Sequence, residues 1–492
     1  MRQDGGVRPS RKRLIVGERF DKAKRQRLSQ EALTKAYAHY AAGALHDNER
    51  RFREAVREYE RALEYDKHSS AIYTRLGASY IKLDQPDKAI EVLKTALKVD
   101  PTDERPRALL ALLYISLQRF PEAVQQYEEA LRANPEDETQ ILYALADLYV
   151  IQGDLGQAAE TYRKLIAREE NGLLHFNLAL IETRLLHWEE AEKYFLRATE
   201  LEPQFTDAHL ALGILYELRK ENDKAVIQYE KALRVDPLEP KVYLRLGQIY
   251  VKEGKDPEAI QQFESLLKID PESLEGTLEL AYLYLRKNQA EKSVALLEGL
   301  ITKGKQHYEL YFLLGLAYRS LERLDRSLEA YQKSLELNPY QGRSLFYLGS
   351  LYDQMGKKEE AAESFKRSLE IDPGNAEVYN YLGYLYAEEG IHLEEAVSLI
   401  QKALVLDPKN GAYVDSLGWA YYQLGRIEEA EQEVKRASLL LRNDPVILEH
   451  LGDIYFKQEK FDASRKAWEK SYALDPKEPV KEKLDHLKQR AE

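Results

Sequence analysis

The chain has 492 residues, no cysteine, 44% hydrophobic residues and a formal net charge of −12. The lack of cysteine excludes disulfides, thiolate catalysis, cysteine-based metal sites and a lipidated cysteine, and leaves the redox compartment open. No run of eighteen apolar residues occurs and the N-terminus lacks the apolar centre of a secretory leader. No membrane span is therefore expected, and the default location is cytoplasmic, with a periplasmic or envelope-associated one if the start codon is misassigned.

Residues 1–30 carry ten Lys or Arg against three Asp or Glu, a net +7 on an otherwise acidic chain. We read residues 1–35 as a basic, unstructured arm. Such an arm can bind a polyanion, a membrane surface or an acidic partner. It can equally rest as a solvated tail, and with Phe20 as its one base-stacking aromatic, nucleic acid is not the expected partner.

From Ala36 onward apolar residues fall at three- and four-residue intervals, which predicts amphipathic helices. The stretch Thr206–Glu239 shows the unit most clearly: Leu212, Gly213 and Tyr216 on one helix, Ala225, Tyr229 and Ala232 on a second, and Pro237 to end it. A glycine within a helix costs roughly 1 kcal/mol against alanine, so Gly213 needs a packing reason. We expect it to let one helix backbone approach its partner, with Ala225 and Ala232 as matching small surfaces. Pro237 lacks an amide proton and stops the second helix near Val235 or Asp236. Small residues recur in this frame at Gly43, Gly77, Ala111, Ala146, Ala179, Gly213, Gly247, Ala281, Gly315, Gly349, Gly383, Gly418 and Gly452, spaced 34 apart except for intervals of 35, 33 and 35.

This pattern resembles the tetratricopeptide repeat family, whose unit spreads Leu-Gly, Tyr, Ala, Phe or Tyr, Ala and Pro over about 34 residues. The resemblance implies an all-α fold: a right-handed α-solenoid superhelix of thirteen helical hairpins, with no central core. The repeats are expected at 36–69, 70–103, 104–138, 139–171, 172–205, 206–239, 240–273, 274–307, 308–341, 342–375, 376–410, 411–444 and 445–478. Residues 479–492, with Val480, Leu484 and Leu487 at helical spacing, read as a capping helix. The first repeat drifts, with His46 and Lys67 at the usual Tyr and Pro positions, whereas the third keeps Ala123, Tyr127, Ala130 and Pro135. Two places break the frame: the junction of the fourth and fifth repeats has no closing Pro, and ITKGKQ replaces it after the eighth. We read both as joints, with cleavage expected near Glu170 and Lys303. One extra residue lengthens the turn around Gly390 and His392. The 34 Tyr against 12 Phe suit positions that are half core and half wet.

No constellation for catalysis emerges. There is no phosphate loop, no His-Glu-x-x-His pair, no nucleophile elbow and no acid cluster with ligand spacing, so neither enzyme activity, metal nor cofactor is expected. Binding is the physical opportunity. In the family the second, fifth, ninth, twelfth and thirteenth positions of each repeat face a groove that takes extended peptides or partner helices. Carried over by register, these give Tyr143, Asp147, Phe176, Leu210, Glu217, Gln248, Tyr282, Phe312 and Arg319 in the middle of the array, a largely apolar wall. Toward the C-terminus they give Phe346, Asp353, Asn380, Tyr384, Asp415, Trp419, Tyr422, Glu449, Asp453 and Phe456, aromatic and acidic, as suits an apolar anchor beside a Lys or Arg. Trp419 and Tyr384 could instead pack against adjacent helices. The Lys-Asn clamp of the family's chaperone-tail binders is missing, with Tyr40 and Ala44, Thr74 and Ala78, and Ala108 and Leu112 at its positions. The asparagine ladder of the sugar-transferring relatives is missing too, with only Asn177 and Asn380 as candidates. The resemblance implies a non-enzymatic scaffold for protein partners, with self-association as a further expectation. Two alternatives remain: a substrate-recruiting subunit for a separate transferase or secretion machine, and a polyanion-associated factor working through the arm. In its regularity the C-terminal half resembles the long bacterial members of the family, many of which serve envelope assembly, secretion or multiprotein complexes.

Overall fold

The structure, a computed structural model, describes residues 30–133 and 138–489. The basic segment 1–29 and Pro135 lie outside the described residues. Among the described residues the regular elements are 27 α-helices, and the chain divides into two compact units, 1–239 and 240–492.

The first unit holds α1 (Gln30–Asn48), α2 (Phe52–Tyr65), α3 (Ser70–Lys82), α4 (Pro86–Val99), α5 (Glu104–Ser116), α6 (Phe120–Ala133), α7 (Glu138–Gln152), α8 (Leu155–Ile166), α9 (Gly172–Arg184), α10 (Trp188–Leu201), α11 (Thr206–Leu218) and α12 (Asn222–Val235). Each odd-numbered helix packs on its successor as a hairpin, and each hairpin packs on the next. Residues 30–35, expected in the arm, belong to helix α1, which buries its own Ala36.

The second unit continues the scheme with α13 (Pro240–Lys252), α14 (Asp256–Ile269), α15 (Leu274–Arg286), α16 (Ala290–Thr302), α17 (Tyr308–Ser320), α18 (Leu324–Leu337), α19 (Gly342–Gln354), α20 (Lys358–Ile371), α21 (Ala376–Glu388), α22 (Leu393–Leu406), α23 (Gly411–Gln423), α24 (Ile427–Leu440), α25 (Pro445–Lys457) and α26 (Phe461–Leu474). A last helix, α27 (Glu478–Gln489), lays Val480, Leu484 and Leu487 against Trp468 of α26 and so covers the end of the stack.

The recurrent small residue works differently from the expectation. A Cβ at Gly213 would fall 2.3 Å from the ring of Tyr229, and one at Gly315 would fall 2.5 Å from the ring of Tyr331. The glycine therefore makes room for a large side chain of the second helix rather than for its backbone. Close backbone approach occurs at Gly383, where a Cβ would lie 2.9 Å from the carbonyl of Ala396. There and at Gly418 the facing residues are Ile400 and Val434, which are too short to hold the helices apart. Ala225 and Ala232 are fully buried, as the frame requires.

The tyrosines join repeats at their wet edges. Tyr80, Tyr149, Tyr216 and Tyr284 bury their rings and donate their hydroxyls to Glu60, Glu128, Glu192 and Glu264 of the preceding hairpin, at 2.7–2.8 Å. Each ring thus fills a core while its oxygen reaches a carboxylate at the surface.

The two breaks in the frame are tied down rather than loose. Between α8 and α9, Asn171 caps α9 by accepting from the Leu174 amide, the Glu202 carboxylate accepts from the Gly172 amide at 2.9 Å, and Arg197 pairs with Glu170 at 2.9 Å. After α16, Gly304 takes a φ of 88° that turns the chain without proline, and Lys303 donates to the Pro271 carbonyl at 3.1 Å. The division between units falls instead at Glu239 and Pro240.

Within each unit, successive first helices approach one another, as α1 with α3 and α3 with α5 in the first unit, and α15 with α17, α21 with α23 and α23 with α25 in the second. In each unit we therefore take the fifth, ninth and twelfth positions of the first helices as the candidate face.

Candidate functional site

In the first unit this face is mostly committed to the fold. Leu210 is buried in its hairpin, and Glu217 accepts the hydroxyl of the buried Tyr229, just as Asp47 accepts that of Tyr59 at 3.2 Å. Neither Leu210 nor Glu217 is free to grip a partner, because the core needs the apolar surface of one and the acceptor of the other. Phe176 is half-buried between Phe195 and Phe205, with ring centroids 5.8 and 4.9 Å away. Tyr143 and Asp147 are exposed, and Tyr143 donates to Glu169.

In the second unit the face falls into three parts. Gln248 donates to Glu275 at 2.7 Å, and Tyr282 stands exposed on α15. Next, Phe312 and Phe346 are buried, contrary to the expected groove wall. They pack into an aromatic cluster with Tyr331, Tyr347 and Phe365, and Arg343 covers the Phe312 ring from 4.5 Å. Arg319 spans from α17 to α19, donating to Ser350 and Gln354 at 3.0 Å. Asp353 holds Lys358 at 2.8 Å. Tyr381, which the register did not single out, sits edge-on to Phe346 at 5.2 Å and remains partly exposed.

The third part, on α21, α23 and α25, brings most of the remaining expected residues together. Asp415 is buried, with a carboxylate oxygen 2.9 Å from Nδ1 of His450. The His450 ring stacks on Trp419 at 4.2 Å, and Trp419 stacks on Tyr422 at 4.9 Å. Trp419 thus packs against the next hairpin and still keeps a partly open edge, as do Tyr384 and Tyr422. Burial first, and then the carboxylates of Glu388, Asp415, Glu449 and Asp353, push the Tyr384 phenol up to about 12, so it stays a neutral donor. Burial would strip His450 of its proton, but Asp415, Asp453 and Glu449 outweigh it and hold the imidazolium above its ordinary range.

The far end of the face is already filled. Lys483 of α27 reaches Glu449 and Asp453 at 2.7 Å each, Asp453 accepts from the Trp468 indole at 2.9 Å, and Phe456 packs between Phe461 and Trp468. Burial disfavours the Lys483 ammonium, but Asp453 and Glu449 keep it firmly charged. Glu449, Asp453 and Phe456 are therefore engaged within the chain, the two carboxylates by α27, and each stays partly exposed. The sequence frame pointed to neither His450, which occupies a sixth position, nor Lys483, which lies outside the repeats. A lone basic residue facing two groove carboxylates gives no signal until the helices are docked.

The tetratricopeptide repeat profile matches residues 108–172, 176–232, 221–273, 346–411, 392–445 and 416–479, and two further tetratricopeptide repeat profiles match 48–113 and 306–374. The chain belongs to the tetratricopeptide repeat family. No curated protein sequence registers as a relative of this tetratricopeptide repeat protein. Among solved structures, the Cut9–Hcn1 hetero-tetramer of the APC/C is similar at 16% identity over 97% of this chain and 99% of that one, with a TM-score of 0.44. The Naa15/Naa10 complex bound to HypK-THB is similar at 19% identity, 90% and 68% coverage and a TM-score of 0.44. A tetratricopeptide repeat protein from Parabacteroides merdae ATCC 43184 follows at 15% identity, 50% and 98% coverage and a TM-score of 0.41. Arrays of these repeats are typical of protein–protein interaction scaffolds, and among the described residues no helix is long and apolar enough to cross a membrane.

Proposed function

We propose that this protein is a non-enzymatic scaffold whose second unit holds a segment of a partner protein on the first-helix face of α21 and α23. The observation that carries this reading is the row of half-buried aromatic side chains Tyr384, Trp419 and Tyr422, set beside the buried Asp415 and left partly open by both core and cap. Aromatic rings at the mouth of a desolvated polar pocket are what binding hot spots consist of, since they offer large area at low entropic cost. The first unit and the α25 end of the second contribute little to this reading, because the chain itself occupies most of their expected contact residues. The thirteen-repeat register is proposed as the frame within which these side chains recur.

Affinity capture with the intact protein, compared with a Trp419→Ala, Tyr422→Ala variant of unchanged helical circular dichroism, tests the proposal. Partners recovered by the intact protein should drop at least tenfold with the variant. Equal recovery would move the binding surface elsewhere.

A further inference from the structure

Nine buried side-chain polar atoms among the described residues have no hydrogen-bond partner, and three of them belong to the adjoining helices α21 and α23: Oδ1 of Asn380, Oδ1 of Asp415 and Nε1 of Trp419. The other six belong to other helices and turns. Leaving a buried donor or acceptor unmade costs roughly 1–3 kcal/mol each, so a cluster of three in packed neighbouring helices is expensive unless something outside the chain completes it.

The three atoms differ in what they ask for. Asp415 is 5% exposed and spends one oxygen on His450, leaving the other as an acceptor in search of a donor. Trp419 lies one helical turn further on the same helix, its ring fixed by His450 and Tyr422, and its indole N–H needs an acceptor. Asn380 occupies the position matching Asp415 one repeat earlier, on a helix that packs directly against α23. A carboxylate ligand would satisfy the indole but be repelled by Asp415. An ammonium would satisfy Asp415 but leave the indole unmet. A primary amide carries an N–H and its C=O on one side, and an extended main chain points the N–H and C=O of a single residue the same way, so either satisfies both.

We infer that Asp415 and Trp419, with Asn380, form an amide-recognition subsite: the Asp415 carboxylate accepts an amide N–H and the Trp419 indole donates to an amide carbonyl on the same side of the ligand. This rests on the partner-binding reading of the same face. Two sources can supply the group, the main chain of an extended segment or an Asn or Gln side chain.

The test is selection of displayed random dodecapeptides against the full-length protein, followed by affinity measurement on Trp419→Phe, Asp415→Asn and Tyr384→Ala. Trp419→Phe keeps the stacked ring and removes only the donor, so it leaves the packing in place if Asp415→Asn proves unstable. Selected peptides should bind Trp419→Phe at least fivefold more weakly, and the indole N–H resonance missing from that variant's spectrum should shift when peptide is added to the intact protein. In the peptide, ester replacement of one main-chain amide, or Asn or Gln replacement by Ala, should reproduce the loss and identify the source. Peptides that lose affinity with Tyr384→Ala but not with Trp419→Phe would overturn the subsite and leave the face as the binding surface. Failure to select any peptide sensitive to these three positions would overturn both.

Discussion

At the residue scale, one contact decides whether a hairpin closes. Replacing Gly213 by alanine gains about 1 kcal/mol of helix propensity but puts a methyl group 2.3 Å from a fully buried tyrosine ring. Overpacking of this kind costs about 1–3 kcal/mol, and Tyr229 cannot swing away without breaking its hydrogen bond to Glu217. We expect a net loss of about 1–2 kcal/mol, read as faster amide exchange in α11 and α12; unchanged or slower exchange there would refute the account. His450 makes a second residue-scale case. Its folded-state pKa lies above the ordinary 6.5, so the stabilisation from its pairing with Asp415 is complete below 6.5 and is lost as pH rises through the folded value. Protection of amides in α25, corrected for intrinsic exchange, should fall as pH rises above 6.5 through the raised folded-state value, and His450→Gln should flatten that slope. A slope unchanged by the substitution would assign the effect to other groups.

At the scale of the element, α27 does more than cover apolar surface. Its Lys483 stands between Glu449 and Asp453 on α25, and the same helix packs on Trp468. Substituting Lys483 by methionine keeps an unbranched apolar stem, removes the ammonium 5.9 Å from the Trp468 ring centroid, and leaves two partly buried carboxylates uncompensated. A loss of about 1–2 kcal/mol follows after allowance for the solvent that reaches the pair, visible as earlier melting of α25–α27 in hydrogen exchange and diminished at low pH. If methionine is neutral at pH 7, the cap is held by its apolar contacts alone. The irregular turns teach the same lesson. The missing prolines near Glu170 and Lys303 look like weak points in the sequence, yet a local Asn171 cap and two contacts that bridge 30 and 32 residues, the Gly172 amide to Glu202 and Lys303 to the Pro271 carbonyl, bind these turns to the neighbouring repeat.

At the scale of the whole molecule, stability in such an array is a sum of hairpins and nearest-neighbour contacts rather than one shared core. On the proposed reading, partner binding depends on which stretch of the repeated face remains unspent once each hairpin has met its neighbours and α27 has met the last one. Helix periodicity, the small-residue frame and the closing prolines were legible from the sequence because each is a local, periodic constraint that one hairpin imposes on its own chain. The family and the helix pairing follow from these alone. The face positions were legible only as a register. Leu210, Phe312 and Phe346 turned inward, Glu217 and Asp453 went to core donors, and Lys483 filled an acidic pair, because burial and hydrogen-bond partnership depend on residues about 12 to 35 positions away that touch only after stacking. The meeting of Asp415, Trp419 and His450 was likewise decided by tertiary structure, since no spacing rule along one helix brings a side chain from the following hairpin to lie flat on an indole.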